Sequence, residues 1–235
     1  MKLQNKIVVV TGASEGIGLA ISRGFAERGA RVAMLARNRE KLEKAARRFS
    51  SEPMTISCDV SDPQQVTQAR NLILERFGTI DILVNNAGFN RFKPIWDTSY
   101  EDWQAILNTN LTGTFLVTRA FLPALMKKKS GHIVNIVSVA GVTAFTNCSA
   151  YCSSKFGQLG FSRVIRQELM SYNIRVTAIL PGATATPLWD KAGGTADQNL
   201  MMAPERVAEA VFYACEADEQ AAVEEIVLRP AAGDL

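Results

Sequence analysis

Two polar side chains, Tyr151 and Lys155, lie four residues apart in the apolar stretch AYCSSKFGQLG. If this stretch is helical, both side chains lie on one face of the helix. A free tyrosine has a pKa of about 10 and is a poor acid or base at neutral pH, but a nearby ammonium group favours the phenolate and lowers that pKa. The pair is therefore a candidate proton donor and acceptor for a carbonyl/alcohol couple. An ordinary surface pair has the same spacing, so the assignment depends on the motifs that accompany it.

Ser138 supplies a second polar group for the same chemistry. It follows the apolar run HIVNIV in the sequence NIVSVAG, where a buried strand is expected to end. Ligands of open α/β sheets bind beside the carboxyl ends of the strands. A hydroxyl at this position is suited to hydrogen-bond the substrate oxygen that the tyrosine protonates.

A glycine-rich segment, TGASEGIG (11–18), follows the first apolar run and opens a predicted helix. Gly12, Gly16 and Gly18 allow a ligand to approach the backbone closely, and a helix N-terminus offers free N–H groups to a pyrophosphate. The spacing differs from the general G-x-G-x-x-G fingerprint. A tight turn without a ligand gives a similar sequence, but the position at the first strand-to-helix turn favours nucleotide binding.

Further candidates for nucleotide binding follow the next three predicted strands. Arg37 and Asn38 stand where an acidic residue selects NAD and an arginine accommodates the 2′-phosphate of NADP; Ser14 would add a neutral hydrogen bond. We favour the phosphate contact over a surface arginine, which predicts NADP(H) as cofactor.

Asp59 and Val60 end the third strand. Asp59 either bonds an adenine edge or begins the turn into Asp62-Pro63. The segment NNAG, with Asn86, Ala87 and Gly88, ends the fourth strand and suits either a ligand crevice or a tight turn.

Strands and helices alternate along the chain. Apolar runs predict strands at 6–10, 31–36, 54–58, 80–84, 132–137, 174–180 and 225–229. Helical patterns fall at about 17–28, 38–49, 62–77, 99–129, 150–172 and 203–217. This alternation predicts an α/β fold of one domain over residues 1–235: a doubly wound, Rossmann-like, seven-stranded parallel sheet with helices on both faces. The irregular segment at about 183–203 is expected to be the substrate loop. Its Leu188, Trp189, Leu200, Met201 and Met202 are expected to line an apolar substrate pocket, with Phe145 and Phe89 nearby.

Composition excludes several classes of function. Of the 235 residues, 47% are hydrophobic, and the net charge of +3 is too small to indicate a nucleic-acid partner. No apolar run is long enough to span a membrane, and no signal peptide is apparent, so we expect a soluble cytoplasmic protein. Four cysteines without a C-x-x-C pair and one histidine predict no metal site.

The order of these motifs resembles the classical branch of the short-chain dehydrogenase/reductase family over essentially the whole chain. The matching segments are TG-x-x-x-G-x-G (11–18), NNAG (85–88), N-x-x-G (110–113), Ser138, Y-x-x-x-K (151–155) and P-G-x-x-x-T (181–186). Two features depart from the family pattern. Glu15 replaces the basic residue that many NADP-preferring members carry in the glycine loop, and the usual T-G-x-x-x-x-x-D-G-G ending is absent.

The resemblance implies a role for each catalytic residue. Tyr151 would be the general acid or base, Ser138 would polarise the carbonyl, and Lys155 would bind the nicotinamide ribose and depress the tyrosine pKa. Asn110 would anchor a water molecule for proton resupply. The residues expected to bind the cofactor are Gly12, Ser14, Gly16, Ile17, Gly18, Arg37, Asn38, Asp59, Val60, Asn86, Ala87, Gly88, Tyr151, Lys155, Pro181, Gly182, Thr184 and Thr186.

The sequence therefore predicts an NADP(H)-dependent oxidoreductase that acts on small carbonyl or alcohol substrates, similar to oxoacyl-carrier-protein or general ketone reductases. The alternative is a redox sensor that binds the nucleotide without turnover, although such proteins usually lose the tyrosine or the lysine. Apolar residues on more than one side of helices 99–129 and 150–172 predict a homodimer or homotetramer. An acyl carrier protein would need a basic patch; Lys127–Lys129, Arg163 and Arg166 could form one, but solvated surface charge is the preferred interpretation.

Overall fold

The computed structural model describes residues 3–193, 197–218 and 220–233. Within them the strands are β1 (Ile7–Thr11), β2 (Arg31–Ala36), β3 (Met54–Ser57), β4 (Ile82–Asn85), β5 (Gly131–Ile136), β6 (Ile174–Pro181) and β7 (Glu225–Leu228). They form one parallel sheet in the order β3-β2-β1-β4-β5-β6-β7. The predicted seven-stranded parallel sheet is confirmed.

Eight α-helices lie in the described part of the chain. They are α1 (Gly16–Glu27), α2 (Arg39–Ala46), α3 (Pro63–Phe77), α4 (Tyr100–Leu107), α5 (Gly113–Lys128), α6 (Ser149–Leu169), α7 (Pro187–Ala192) and α8 (Pro204–Glu216). A five-residue π-helical turn, Asn108–Thr112, joins α4 to α5. The start of α3 follows the sequence signal, because the Asp62 side chain accepts hydrogen bonds from the backbone N–H groups of Gln64 and Gln65.

Alternate residues of each strand face opposite layers of helices. In β1, Val8 and Val10 pack with residues of α1, α2 and α8. Ile7 and Val9 pack with residues of α3, α5 and α6. Both faces of the sheet are therefore buried, which explains the nearly continuous apolar character of the strands and confirms the doubly wound arrangement.

The strand order reverses direction between β1 and β4, and this reversal opens a crevice at the carboxyl edge of the sheet. The register pairs Val10 with Val84 and Asn85 with Asn135. Because all strands are parallel, the segments that follow β1, β4, β5 and β6 meet at this edge. These segments carry the motifs that the sequence singled out.

Several predicted boundaries need correction. The helix predicted at 38–49 ends at Ala46, and the helix predicted at 99–129 contains the π-helical turn. The predicted irregular loop at 183–203 contains α7, which begins with proline in its first turn, a favourable helix start. A 3-10 turn (Gln198–Leu200) follows. Residues 194–196 of this loop lie outside the described residues.

No helix within residues 3–193, 197–218 and 220–233 has both the length and the apolar character that crossing a membrane requires. The same residues hold no cluster of three or more histidine, cysteine, aspartate or glutamate side chains arranged to bind a metal ion.

Candidate active site

Tyr151 and Lys155 lie one turn apart near the start of α6, so the helical spacing predicted from the sequence is present. The Lys155 Nζ atom is 5.7 Å from the centroid of the Tyr151 ring. Lys155 is only 4% exposed, and burial lowers its pKa to about 7. Burial also raises the pKa of Tyr151 to about 12, and hydrogen bonding to Ser138 opposes this rise.

In the free chain burial raises the pKa of Tyr151, so the depression by Lys155 that the resemblance implies stays a prediction. Burial disfavours both charged forms, so it moves the two pKa values in opposite directions. At neutral pH Tyr151 is a protonated phenol, which makes it a proton donor in this state.

Ser138 lies two residues beyond the end of β5, beside the same pocket as Tyr151 and Lys155. Its hydroxyl oxygen accepts a hydrogen bond of 3.1 Å from the backbone N–H of Ala140. This bond leaves the hydroxyl proton free for another acceptor. The strand end thus presents a donor next to the phenol, as the sequence predicted.

A pocket of about 510 Å³ opens at the carboxyl edge of the sheet. Besides the three catalytic candidates, it is lined by most of the predicted cofactor-binding residues: Gly12, Ser14, Gly16, Ile17, Arg37, Asn38, Val60, Asn86, Ala87, Gly88, Pro181, Gly182, Thr184 and Thr186. Motifs from the whole chain therefore meet in one cavity.

The glycine loop has the form that a phosphate site needs. Gly12 and Gly16 have positive φ angles of 64° and 54°, which favour glycine. A Cβ atom on Gly18 would lie 2.3 Å from the Gly12 carbonyl oxygen, so Gly18 allows α1 to pack closely and does not itself line the pocket. The Glu15 side chain does not cap α1, which leaves N–H groups at the helix N-terminus available to an anion.

The segment NNAG is fixed to the end of β1 by hydrogen bonds. The Thr11 hydroxyl oxygen accepts bonds of 3.0 Å from the backbone N–H groups of Asn86 and Ala87. The Asn86 side chain donates to the carbonyl oxygens of Thr11 and Gly12. The two edges of the crevice are therefore joined at its base, where β1 and β4 end.

Asn110 lies in the π-helical turn and is fully buried. Its side chain exchanges two hydrogen bonds of 3.0 Å with the backbone of Phe89 and donates to the Ser154 hydroxyl. These contacts join the loop after β4 to α6, directly beside Lys155. The water-anchoring role that the resemblance implies for Asn110 stays a prediction; its side chain is engaged by Phe89 and Ser154.

Two sets of predicted residues do not reach the pocket. Asp59 accepts hydrogen bonds from the backbone and hydroxyl of Ser61, so its carboxylate belongs to the turn, while Cys58 and Val60 line the cavity. This placement favours the turn over the adenine contact. In the loop at 183–203, Leu188 and Trp189 line the pocket as expected, whereas Leu200, Met201 and Met202 do not.

Sequence reasoning missed two lysines at the pocket, Lys41 and Lys191, which pair with Glu15 of the glycine loop. Glu15 forms ion pairs with Lys41 of α2, at 3.6 Å, and with Lys191 of α7. All three line the cavity. Lys41 lies in the first turn of α2, close in sequence to Arg37, so its place beside the pocket could have been read from the predicted helix start. The pairing with Lys191 joins segments that are far apart in the chain and could not have been read from the sequence.

Aromatic residues form the wall of the pocket on the side of α7. The rings of Phe92 and Trp189 are stacked with centroids 5.5 Å apart and planes 27° from parallel. Phe145 lines the same cavity, as do the neutral groups of Asn90 and Thr146. The wall formed by Phe92, Trp189 and Phe145 is thus aromatic, and the charge of Lys191 on the same helix is paired with Glu15.

Comparison with known proteins agrees with this geometry. Residues 6–197 match the family model for short chain dehydrogenases. The chain belongs to the short-chain dehydrogenase/reductase family. It is therefore a member of an oxidoreductase family, and the resemblance read from its motifs is confirmed.

Individual relatives match over nearly the whole chain. The sepiapterin reductase of Chlorobaculum tepidum is 41% identical over 97% of this chain and 98% of its own length. A metagenomic short-chain oxidoreductase solved in complex with NADP has a TM-score of 0.87 and 32% identity, covering 98% of this chain and 99% of that one. An alcohol dehydrogenase from the archaeon Thermococcus sibiricus, complexed with 5-hydroxy-NADP, has a TM-score of 0.88 and 30% identity; 96% of this chain and 97% of that one are covered.

The Thr11 hydroxyl is predicted to hold the base of the crevice together. Replacing Thr11 with Val keeps the side-chain shape but leaves two part-buried N–H groups without their acceptor, which should cost about 1 kcal/mol of the free energy of unfolding. Replacing Thr11 with Ser keeps the hydroxyl and should cost less. Denaturant unfolding measures both variants, and amide hydrogen exchange should accelerate at Asn86 and Ala87 only in the Val variant. Equal stability and equal exchange in the two variants would show that these bonds are not needed.

Proposed function

We propose that this protein is an NADP(H)-dependent oxidoreductase that interconverts a carbonyl and a secondary alcohol by hydride transfer. The observation that carries the proposal is the meeting of Ser138, Tyr151 and Lys155 in the same cavity as the glycine loop at the start of α1. NADP(H), when bound, supplies or accepts the hydride. The names of the relatives, a reductase and an alcohol dehydrogenase, support the same chemistry.

The chain's own residues handle the substrate oxygen and its proton. In reduction the Ser138 hydroxyl donates a hydrogen bond to the carbonyl oxygen, and Tyr151 transfers its phenolic proton to the same atom. Lys155, as an ammonium group, stabilises the phenolate that this transfer leaves behind. In oxidation the phenolate accepts the proton of the alcohol, and the same groups act in reverse.

Preference for NADP(H) over NAD(H) is part of the proposal and is supported by the charges at the end of β2. Arg37 lines the pocket and forms no ion pair with any described residue, so its guanidinium group is available to the 2′-phosphate. Asn38 lies beside it, although its side chain caps α2 by accepting from the Lys41 N–H. Glu15 is held by Lys41 and Lys191, which offset its negative charge.

The aromatic wall indicates the kind of substrate. Phe92, Trp189 and Phe145 offer flat apolar surfaces, while Asn90 and Thr146 offer neutral hydrogen-bonding groups. We infer a neutral carbonyl compound with a planar aromatic or heteroaromatic group next to the reacting carbon. The similarity to a sepiapterin reductase supports this class.

Three of the five basic residues considered for an acyl carrier protein, Lys128, Arg163 and Arg166, are engaged within the chain. Lys128 pairs with Asp81, and Arg163 forms two hydrogen bonds, of 2.7 and 3.1 Å, with Glu225. Arg166 is buried and binds the backbone oxygens of Val176 and Glu224. These contacts favour a small-molecule substrate over a carrier-protein partner.

Catalysis should depend on the phenol of Tyr151. Replacing Tyr151 with Phe removes the proton donor and keeps the ring, so turnover should fall by about 100-fold or more. The measurement is NADPH oxidation with a panel of aromatic ketones, aliphatic ketones, aldehydes and acyl thioesters, together with NADPH binding by fluorescence. Binding should survive in the variant. Near-normal turnover by the variant would disprove the mechanism, and tight binding without turnover by the unmodified protein would favour the redox-sensor alternative.

Cofactor preference should depend on Arg37. Charge-assisted hydrogen bonds to the 2′-phosphate contribute roughly one to two orders of magnitude in preference. Replacing Arg37 with Asp should therefore abolish or invert the ratio of kcat/KM for NADPH over NADH, with turnover at saturating cofactor nearly intact. Replacing Arg39 with Asp makes the same charge change on an exposed side chain outside the pocket and is the matched control. Equal preference in the two variants, or a preference for NADH in the unmodified protein, would refute the assignment.

A homodimer or homotetramer is also proposed, because α5 and α6 expose large apolar side chains. Phe115, Phe156 and Val164 are 42%, 47% and 56% exposed. Helices that are apolar beyond the face buried in the chain require a further partner. Light scattering at micromolar concentration should give twice or four times the mass of one chain, whereas a single-chain mass would contradict this.

A further inference from the structure

The ammonium group of Lys155 is already partly bound within the protein. Its Nζ atom donates a hydrogen bond of 3.0 Å to the Ile136 carbonyl oxygen and one of 2.8 Å to Oε1 of Gln158. An ammonium group has three N–H donors, so these contacts leave one for a ligand in the pocket. Gln158 lies three residues after Lys155 in α6 and is fully buried.

The orientation of the Gln158 amide is fixed by its other neighbours. The Thr114 hydroxyl donates its only proton to the Asn110 carbonyl oxygen, at 2.8 Å. It therefore acts as the acceptor in its 2.9 Å bond with Nε2 of Gln158. With its NH₂ group on Thr114, the amide must present its oxygen to Lys155. One buried chain of bonds thus runs from the π-helical turn through Thr114 and Gln158 to the lysine.

We propose that Gln158 is a positioning residue that keeps the Lys155 ammonium group in place and in its charged form. The inference rests on the proposed function, in which Tyr151 needs a positive charge beside it when it gives up its proton. Gln158 does not touch the substrate oxygen; it acts only through Lys155.

The surroundings of Lys155 explain why an acceptor is needed. Burial removes water from the ammonium group and lowers the Lys155 pKa to about 7. Among the described residues no carboxylate forms an ion pair with Lys155. Its hydrogen bonds go to the neutral Ile136 carbonyl of β5 and the Gln158 amide, and Gln158 in turn contacts Thr114 of α5. On its own helix the Tyr151 phenol, whose pKa burial raises, is neutral, and burial also raises the pKa of the Cys148 thiol just before the helix. The carbonyl oxygens of Gln158 and Ile136 therefore stabilise the charge.

Substitutions at Gln158 separate its charge effect from its packing. Replacing Gln158 with Met keeps the approximate volume and removes the acceptor, so Lys155 should titrate at lower pH. Replacing it with Glu adds a carboxylate beside the ammonium, so Lys155 should titrate at higher pH. The titration is followed in the free protein by NMR of the lysine Cε carbons, with the Lys155 signal assigned from its loss in a Lys155→Met variant.

The pH dependence of turnover should change in the same direction as the lysine titration. Reduction needs a protonated Tyr151 and a charged Lys155, so loss of the lysine charge as the pH rises should contribute to its alkaline limit. The limit should move to lower pH in the Met variant and to higher pH in the Glu variant. In the Met variant kcat at neutral pH should fall by about tenfold, the effect expected when a hydrogen bond to a charged group is lost.

Two threonines of α5 test the contact between α5 and Gln158: Thr114 makes that contact, and Thr118 is the control because it bonds Asn85 instead. They lie one turn apart in α5 and are 4% and 2% exposed. Replacing Thr114 with Val removes the acceptor that orients Gln158 and should shift the lysine titration in the same direction as the Met variant, but by less. Replacing Thr118 with Val removes only its hydrogen bond with Asn85 and should leave the titration and the pH profile unchanged.

These experiments test the role of Gln158 separately from the proposed oxidoreductase activity. A folded Gln158→Met variant with an unchanged lysine titration and pH profile would overturn it, as would equal shifts in the two threonine variants. If the Met variant does not fold, the Thr114 and Thr118 variants and the Glu variant carry the same test. If the unmodified protein reduces no carbonyl compound, the proposed function fails, while the NMR titration still decides whether Gln158 sustains the charge of Lys155.

Discussion

The burial of an ammonium group at the base of the pocket is the constraint on which the rest of the site depends. Lys155 is 4% exposed, and a charge in that position is stable only where neutral oxygen atoms accept its hydrogen bonds. The carbonyl oxygen of Ile136 comes from the end of β5, and the oxygen of Gln158 comes from α6. The site therefore requires strand β5, helix α6 and helix α5 to be held in fixed relation.

Hydrogen bonds between buried polar groups hold these strands and helices in their relative positions. Asn110 joins the loop after β4 to α6, and Thr114 joins α5 to Gln158. Thr11 and Asn86 join the ends of β1 and β4 beneath the glycine loop. The parallel sheet brings all of these segments to one edge, so catalytic groups and cofactor-binding groups share a cavity although they come from opposite ends of the chain.

The sequence predicted the parts of this site that depend on local patterns. Apolar runs, the glycine loop and the Tyr151–Lys155 spacing each follow from a few neighbouring residues, and the strand ends locate them in three dimensions. Contacts between distant segments were not predictable in this way. The ion pair between Glu15 and Lys191, the turn geometry of Asp59 and the opposite pKa shifts of Tyr151 and Lys155 all depend on packing that no local pattern encodes.

The central claim is that Lys155 acts on the ionisation of Tyr151 once the third N–H of the ammonium group also has a partner. The most direct test is the ultraviolet titration of tyrosinate with saturating NADP⁺, in the unmodified protein and in a Lys155→Met variant, each corrected with the corresponding Tyr151→Phe protein. A charge at this distance should lower the pKa of the phenol by roughly one unit or more. The account predicts that Tyr151 ionises at lower pH in the unmodified protein than in the Met variant. The same titration in both proteins would contradict it.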